Sequence, residues 1–237
     1  MGRTAGRMNG HVLCECSQSK ISFGLLLRTL RDAESAGFMK KFLHVGPGSK
    51  YKQQTTREFA SGLWEEVRLD IDPNAEPDIC GSILDMREVG DACVEAVYSS
   101  HNLEHVYFHE VNLGLQEFKR VLTYDGYVVL TCPDLKQVAS AIVNDRLLDP
   151  LYESPAGPIT PMDIVYGHGA SLRSGNSFMA HKCGFTEKTL TQCFLAAGFS
   201  NTITMSRPSP FFDLWILATR SRTDEQLLRG LAKLHFP

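Results

Sequence analysis

Residues 42–51 read FLHVGPGSKY, a short apolar run that stops at a Gly-Pro-Gly turn. An apolar run of this length, bounded by turn residues, predicts a buried strand that ends at Val45. The glycines at Gly46 and Gly48 allow a tight turn and a close approach of a ligand to the backbone. A strand, this turn and then a helix form the geometry of a nucleotide-type site at the carboxyl end of a first parallel strand.

Three kinds of ligand compete for such a turn. A dinucleotide fingerprint needs a third glycine three positions after Gly48, where this sequence has Tyr51, so NAD and FAD are disfavoured. A phosphate-binding P-loop needs a Gly-Lys pair followed by Ser or Thr, and Lys50 follows Ser49 instead, which excludes ATP by that route. S-adenosylmethionine fits, because its carboxylate can lie against the N–H groups of a helix N-terminus and it has no pyrophosphate.

Acidic residues at the ends of the next two predicted strands support this cofactor. The strand EVRLDID contains Asp70, which lies roughly twenty residues beyond the turn, where an acidic side chain meets a ribose diol. A carboxylate accepts hydrogen bonds from both ribose hydroxyls. In GSILDM, we expect Asp85 to accept from the adenine amino group and the Met86 backbone to meet the ring. The predicted cofactor-binding residues are Gly46, Pro47, Gly48, Asp70, Asp85, Met86, Ser100 and His101.

Strands and helices alternate along the first two thirds of the chain. The predicted strands are 41–45, 64–72, 96–100 and 126–133, and the predicted helices are 55–62, 103–122 and 134–148. This alternation predicts parallel βαβ units in a doubly wound, Rossmann-like α/β sheet. Two last strands, 201–208 and 212–220, are expected to pair antiparallel, so the predicted sheet is mostly parallel with an antiparallel final strand.

Changes in residue composition and periodicity divide the chain into four segments. Residues 1–40 are predicted to form a tail and a helix over 21–38, and residues 41–148 to form the cofactor-binding core. Residues 149–184 are rich in Pro, Gly and His and show little periodicity, which is typical of a functional loop, so we predict a lid insertion. Residues 185–237 are expected to complete the same domain, with a helix closed by Gly198 and a polar C-terminal helix.

Composition narrows the classes of partner. With 24 basic and 27 acidic residues, the formal net charge is -3, which argues against nucleic-acid binding because a basic face is needed to replace phosphate counterions. No apolar segment is long enough to predict a signal peptide or a membrane span. Seven scattered cysteines predict reduced thiols and a cytoplasmic location, and Cys14 with Cys16 is a weak metal signal. A monomer or homodimer is expected.

Several motifs together resemble the class I S-adenosylmethionine-dependent methyltransferases of the type 11 group. They are VGPG at 45–48, Asp70, Asp85 with Met86, AVYSSHNLEHV at 96–106, EFKRVLTYDGYVVLTCPD at 117–134 and TLTQCFLAAGF at 189–199. The resemblance covers about residues 40 to 220. The chain departs from the family at Pro47 and Ser49 of the turn and in its long lid.

This resemblance places the fourth strand end opposite the methyl group that is transferred. A histidine suits removal of a proton near neutral pH, so the predicted catalytic residues are His101 at this strand end and His168 and His181 in the lid. The lid is where substrate recognition is expected. The predicted substrate-binding residues are Asn102, His105, Tyr166, His168, Arg173, Asn176 and His181.

The sequence therefore predicts an S-adenosylmethionine-dependent methyltransferase that acts on a small polar metabolite. The acceptor is a nitrogen or oxygen atom, and an imidazole- or amino-acid-like molecule suits the lid. The alternatives are methylation of a protein and a regulatory subunit that binds the cofactor without catalysis. No metal is predicted, although Glu104 with His105, His168 and His181 could also compose a divalent-metal site.

Overall fold

The computed structural model describes residues 39–237, and a seven-stranded sheet forms its centre. The strands of this sheet are β1 (Lys40–Val45), β2 (Trp64–Asp70), β3 (Ile79–Cys80), β4 (Val94–Ser100), β5 (Leu122–Pro133), β8 (Asn201–Arg207) and β9 (Asp213–Thr219). A separate hairpin pairs β6 (Tyr152–Ser154) with β7 (Gly157–Ile159). The α-helices are α1 (Val111–Val121), α2 (Leu135–Val143), α3 (Pro161–Tyr166), α4 (Gly169–Arg173), α5 (Glu187–Ala196) and α6 (Glu225–His235).

The strand order is β3-β2-β1-β4-β5-β9-β8. β1 pairs in parallel with β2 and β4, and β4 pairs in parallel with β5. β9 runs antiparallel to both of its neighbours, β5 and β8, so the last strand of the chain is the one that reverses direction. The predicted α/β fold, with a mostly parallel sheet and an antiparallel final strand, is confirmed. Since β1, β2 and β4 end at one edge, the residues that follow them meet there.

Apolar layers cover both faces of the sheet. Successive side chains of a strand point to opposite faces, so Leu43 and Val45 enter one layer and Phe42 enters the other. The first layer includes apolar side chains of α1 and α5, and the second includes Leu228 of α6. In the second layer Phe42 stacks on Phe59 with ring centroids 4.4 Å apart. Burial on both faces explains why β1 reads as an uninterrupted apolar run.

The helix predicted over 55–62 is wrong. After the glycine turn the chain forms a short 3₁₀ turn, Lys52–Gln54, and then irregular turns. The backbone N–H groups of this region are bound by side chains of β2: Gly48 donates to Asp70 at 2.8 Å and Lys52 donates to Glu66 at 2.9 Å. Within 55–62 a bond of α-helical spacing joins the Ala60 N–H to the Thr56 carbonyl at 3.0 Å, but the next N–H, of Ser61, bonds to the Glu58 carbonyl and does not continue a helix. In the described residues, no helix N-terminus therefore follows the turn.

The long helix predicted over 103–122 begins later than expected. Two 3₁₀ turns, Leu103–His105 and Phe108–Glu110, precede α1. The Glu104 carbonyl accepts hydrogen bonds from the Lys182 and Cys183 N–H groups at 2.8 and 3.2 Å. An α-helix would use this carbonyl for the residue four positions later. The contact with residues 182–183 thus fixes a non-helical bend after β4.

The segment 149–184 contains the hairpin β6–β7, the short helices α3 and α4 and a 3₁₀ turn, Ser177–Met179. Proline and glycine explain why these elements are short, since α3 starts with Pro161 after the Thr160 cap and ends at Gly167 with φ +101°. Its assignment as a lid stays a prediction.

The last part of the chain follows the sequence pattern closely. α5 ends before Gly198, which has φ +88°, as the predicted C-cap requires. The predicted helix over 21–38 and the Cys14–Cys16 pair lie outside the described residues. Across residues 39–237, each helix is too short or too polar to cross a lipid bilayer.

Candidate active site

The glycine turn after β1 has a left-handed backbone. Gly46 has φ +66° and Gly48 has φ +55°, a region that favours glycine. A Cβ atom on Gly46 would lie 2.2 Å from the side-chain nitrogen of Asn102. A Cβ atom on Gly48 would meet nothing within 4 Å among residues 39–237, so the turn is open at this position. Gly46 is therefore required for the packing of Asn102, and Gly48 leaves room for a ligand.

Asp70 connects this turn to β2. The side chain is buried, and its two oxygens accept hydrogen bonds from the Gly48 N–H at 2.8 Å and the Asp72 N–H at 2.9 Å. The Arg68 guanidinium donates to the Gly48 carbonyl at 2.6 Å, so the turn is bound from both sides. A carboxylate has about four acceptor positions, and about two of them remain for the hydroxyl groups of a ligand.

The end of β4 bends sharply at His101. This residue has φ +51°, which is uncommon for a residue other than glycine. Its N–H donates to the Thr131 carbonyl of β5 at 2.9 Å, which holds the bend, and its side chain is 46% exposed. Strained positions that neighbouring bonds maintain are found at functional sites. The bend places the imidazole between the strand ends and a cavity.

This cavity has a volume of about 150 Å³ and lies between the ends of β4 and β5 and the segment 149–184. Its polar lining consists of His101, Glu104, His105, Asp163, His168 and His181. Tyr152, Ile159, Ile164 and Phe212 contribute to the apolar lining. The three histidines that the sequence predicted as catalytic therefore line one cavity, although they are far apart in the chain.

Glu104 is the most buried polar residue of the cavity. Its side chain is 1% exposed, and neither carboxylate oxygen has a hydrogen-bond partner in the described part of the chain. The nearest basic atom is Nδ1 of His101, 3.4 Å from Oε1. Burial disfavours ionisation, but the neighbouring His101, His105 and His181 outweigh it, so the pKa of Glu104 lies below its ordinary value.

His105 and His181 face each other beside this carboxylate. Their ring centroids are 4.9 Å apart, and the rings are nearly perpendicular. Nδ1 of His105 donates to the Ala180 carbonyl at 3.1 Å, and Nδ1 of His181 donates to the Ile164 carbonyl at 2.7 Å. Burial lowers the pKa of His181, which favours the neutral imidazole. Burial also raises the pKa of the neighbouring Cys183 thiol to about 12.

A family model described as a methyltransferase domain, of the type 11 group, matches residues 43–130. The match contains β1, the glycine turn, Asp70 and the bend after β4. Residues 43–130 are therefore those of a methyltransferase domain. S-adenosylmethionine, the cofactor that the sequence predicts, is consistent with a domain of this group. No curated protein sequence matches the chain.

Solved structures of methyltransferases share the fold. The 1,6-didemethyltoxoflavin-N1-methyltransferase of Burkholderia thailandensis, solved with S-adenosylhomocysteine bound, is 15% identical over 81% of this chain and 78% of its own, with a TM-score of 0.51. A methyltransferase from Archaeoglobus fulgidus is 14% identical over 84% and 94%, and one from Methanosarcina mazei is 17% identical over 76% and 92%, both with TM-scores of 0.50.

Two longer structures are matched over 56% and 48% of their chains, so the methyltransferase chain spans about half their length. At these identities the likeness extends to the fold alone.

The residues around the glycine turn fit this cofactor. The open side of Gly48 and the remaining acceptor positions of Asp70 lie at the carboxyl edge of β1 and β2, where an amino acid group and a ribose can be bound. Ser100 ends β4 and His101 follows it at the same edge. The helix N-terminus that the sequence suggested for the methionyl carboxylate does not follow the turn in the described residues.

Asp85 and Met86 are already bound to other groups of the methyltransferase. The Asp85 carboxylate is exposed and pairs with Arg87, whose hydrogen bond lowers the pKa of this carboxyl. The Met86 N–H donates to Glu117 of α1 at 2.8 Å, and its carbonyl accepts from Arg120 at 2.8 Å. The contact of these two residues with adenine stays a prediction, and it requires the Met86 backbone to exchange partners.

Four predicted substrate-binding residues do not line the cavity. Asn102 packs on Gly46, as described above. Tyr166 is 61% exposed and contributes only its carbonyl, which accepts from the His181 N–H at 3.1 Å. Arg173 and Asn176 are exposed on and after α4. Of the predicted substrate set, the structure thus brings His105, His168 and His181 together.

Other lining residues were missed by sequence reasoning. Tyr152 of β6 stacks on Phe212 with ring centroids 6.2 Å apart. Tyr152 belongs to no periodic pattern, and Phe212 falls at the start of the strand predicted over 212–220, so no local signal marks either as a lining residue. Asp163 caps the start of α3 by accepting from Thr160, which the Thr-x-x-Asp spacing signals. Glu104 was visible in the LEH motif but was considered only for a metal site.

Proposed function

We propose that this chain transfers the methyl group of S-adenosylmethionine to a nitrogen or oxygen atom of a small polar molecule. The observation that carries the proposal is a cavity of about 150 Å³, lined by four histidines, which begins at the strand end beside the glycine turn. A cavity of that volume accepts a molecule about the size of benzene. This size supports an imidazole-like or small amino-acid-like acceptor.

Methyl transfer is an in-line displacement at a carbon that the sulfonium group of the cofactor activates. The protein then has two tasks, which are to position the acceptor and to remove its proton. His101 suits proton removal, because it lies at the end of β4 and its side chain is partly exposed toward the cavity. Nδ1 of His168 is bonded to the Ser171 hydroxyl at 2.8 Å, which leaves Nε2 as its free nitrogen.

The remaining histidines suit binding better than proton transfer. His105 and His181 each donate Nδ1–H to a backbone carbonyl and lie beside the buried Glu104. We therefore assign the base to His101 or His168 and assign His181 to the binding of the acceptor. The stacked rings of Tyr152 and Phe212 supply an apolar wall that excludes water from the reacting atoms.

The experiment is a methyl-transfer panel with the full-length chain. Small imidazoles, amines, amino acids, phenols and a protein extract are each incubated with S-adenosylmethionine, and S-adenosylhomocysteine and methylated products are measured by mass spectrometry. We expect turnover on one class of small acceptor. Turnover on protein substrates alone, or on no acceptor despite cofactor binding, would contradict the proposal and favour one of the two alternatives.

Two substitutions separate turnover from cofactor binding on the acceptor found. His101→Ala or His168→Ala is expected to lower turnover about 10²–10⁴-fold, the usual effect of losing a general base. Affinity for S-adenosylhomocysteine, measured by calorimetry, should stay the same in His168→Ala, which lies outside the predicted cofactor-binding set. Asp70→Ala should instead weaken this affinity by about 1.5–3 kcal/mol. His109→Ala is the matched control, because His109 is exposed outside the cavity.

A further inference from the structure

We propose that Glu104, His105 and His181 bind a divalent transition-metal cation. One potential ligand atom from each residue lies within 4.8 Å of the other two. Ligands around one ion at about 2.1 Å lie about 3–3.5 Å from each other, so small side-chain rotations close the set. Sequence reasoning predicted no metal, and the site depends on contacts between the bend after β4 and the distant segment 149–184.

The hydrogen bonds of the two imidazoles define which nitrogen is free. A carbonyl oxygen only accepts hydrogen bonds, so Nδ1 of His105 and Nδ1 of His181 carry the protons that the Ala180 and Ile164 carbonyls receive. Nε2 of each neutral ring then presents a lone pair. Histidines that bind metals are typically held in this way, with the second ring nitrogen bonded to a carbonyl or carboxylate.

The carboxylate beside these rings has no hydrogen bond in the described residues, and the basic atom nearest to it outside the cluster is Nδ1 of His101, 3.4 Å from Oε1. Both oxygens of Glu104 are buried without a hydrogen bond in the described residues, and neither His105 nor His181 donates to them. Two imidazole nitrogens and a carboxylate oxygen thus share one small volume. A buried charge in this arrangement is unfavourable unless a counter-charge is present. A bound cation satisfies all three groups at once.

The ligand set selects the class of cation. Two imidazole nitrogens and one carboxylate oxygen suit Zn²⁺, Co²⁺, Fe²⁺ or Mn²⁺, whereas Mg²⁺ and Ca²⁺ prefer sets made of oxygen alone. Three protein ligands leave coordination positions open, as in metal sites that bind a small molecule. The function of the ion rests on the proposed methyl transfer: on the cavity side it holds the acceptor nitrogen or oxygen in place, so His181 binds the acceptor through the ion.

The test uses the full-length chain with Cys14→Ser and Cys16→Ser, because this Cys-x-Cys pair is a separate candidate for zinc binding. The protein is stripped with a chelator and titrated with ZnCl₂, CoCl₂ or MgCl₂ by calorimetry, and Co²⁺ binding is also followed by visible absorption. We expect one equivalent of Zn²⁺ or Co²⁺ to bind and Mg²⁺ to bind much more weakly.

Three variants of this Cys14→Ser, Cys16→Ser protein test which residues bind the metal. Glu104→Gln and His181→Ala should each weaken Zn²⁺ binding at least tenfold, by analogy with the roughly 10–100-fold effect of residues that only support metal ligands. His109→Ala, which changes an exposed histidine outside the cluster, should bind as the parent does. Circular dichroism verifies folding, and if Glu104→Gln does not fold, the His181→Ala variant decides.

Stoichiometric Zn²⁺ binding that both cluster variants weaken supports the site. The absence of stoichiometric binding, or equal affinity in the parent and in the folded cluster variants, overturns it. These results are independent of the methyl-transfer panel. Turnover that persists after chelation, without Zn²⁺ binding, overturns the metal site and leaves the proposed function intact. Zn²⁺ binding without turnover on any acceptor supports the metal site and contradicts the proposed function.

Discussion

Two histidine clusters of this protein handle buried polar groups in opposite ways. His235 of α6 is 3% exposed, and both of its ring nitrogens have partners: the Thr56 hydroxyl at Nδ1 and the Tyr127 hydroxyl at Nε2, each at 2.9 Å. In the cavity, His105 and His181 use only Nδ1, and Glu104 has no hydrogen bond in the described residues. The first cluster is saturated, and the second has unused acceptors.

The difference separates a structural cluster from a binding cluster. Satisfied polar groups stabilise a fold modestly, whereas an unpaired buried charge lowers the free energy of unfolding. The His235 ring packs 4.4 Å from Phe59, between centroids, and so connects α6 to the apolar layer over β1. No such packing role accounts for the Glu104 carboxylate. Proteins tolerate unfavourable arrangements of this kind where they serve function.

The largest expected change in the free energy of unfolding comes from breaking the saturated cluster around His235. His235→Phe keeps an aromatic ring but removes the partner of the buried Tyr127 hydroxyl and leaves the Thr56 hydroxyl bonded only to the Phe59 N–H, at 3.3 Å. We expect the free energy of unfolding to fall by about 2–4 kcal/mol, because each unsatisfied buried group costs about 1–3 kcal/mol. Urea unfolding measures this loss. Adding Thr56→Val should recover part of it, and an unchanged stability in the single variant would show that the cluster is not structural.

In the cavity we expect a smaller change of opposite sign, a rise in the free energy of unfolding. Glu104→Gln removes the buried charge, and the new amide N–H groups can donate to Nε2 of His105 and His181. At about pH 8 and in the presence of a chelator, the free energy of unfolding should rise by about 1–2 kcal/mol, the lower part of the range for replacing buried charges. Glu153→Gln, which changes an exposed carboxylate of β6, is the control. A loss of stability confined to Glu104→Gln would contradict the comparison.

The smallest expected effect is the change with pH in the stability that the saturated cluster contributes. Burial lowers the pKa of His235 from 6.5 to about 3, so the unfolded chain binds the proton first as the pH falls. The stability contributed by neutral His235 is therefore complete above pH 6.5 and is lost toward pH 3. Between pH 6.5 and about 5.5 the loss amounts to about 1 kcal/mol. Urea unfolding of His235→Phe across this range should lack this component, and parallel curves would refute the assignment.

Local patterns were sufficient for much of the fold. The apolar run of β1, the turn at Gly46 and Gly48 and the C-cap at Gly198 each follow from the conformational preferences of a few adjacent residues. The alternation of strands and helices then restricts the topology, because parallel strands need crossover connections. The antiparallel pairing of β8 with β9 agrees with the two successive strands that the sequence predicts over 201–208 and 212–220.

Local patterns failed where distant groups compete for the backbone. In the turn that precedes the helix expected over 55–62, Asp70 and Glu66 of β2 bind the N–H groups of Gly48 and Lys52. The expected helix from residue 103 starts late because residues 182–183 donate to the Glu104 carbonyl. Neither competitor can be recognised from the segment it alters, since each lies elsewhere in the chain.

The sequence by itself indicated a methyltransferase domain and its cofactor and offered the histidines as candidates, because these depend on residue type and on order along the strands. Only the tertiary structure decided that His101, His168 and His181 share a cavity with Tyr152 and Phe212, and that Asn102 packs on the glycine turn instead. It also decided that Glu104 is buried with no hydrogen bond from residues 39–237. The physical reason is that burial and hydrogen bonding are properties of the neighbours in space, and the segment 149–184 supplies those neighbours.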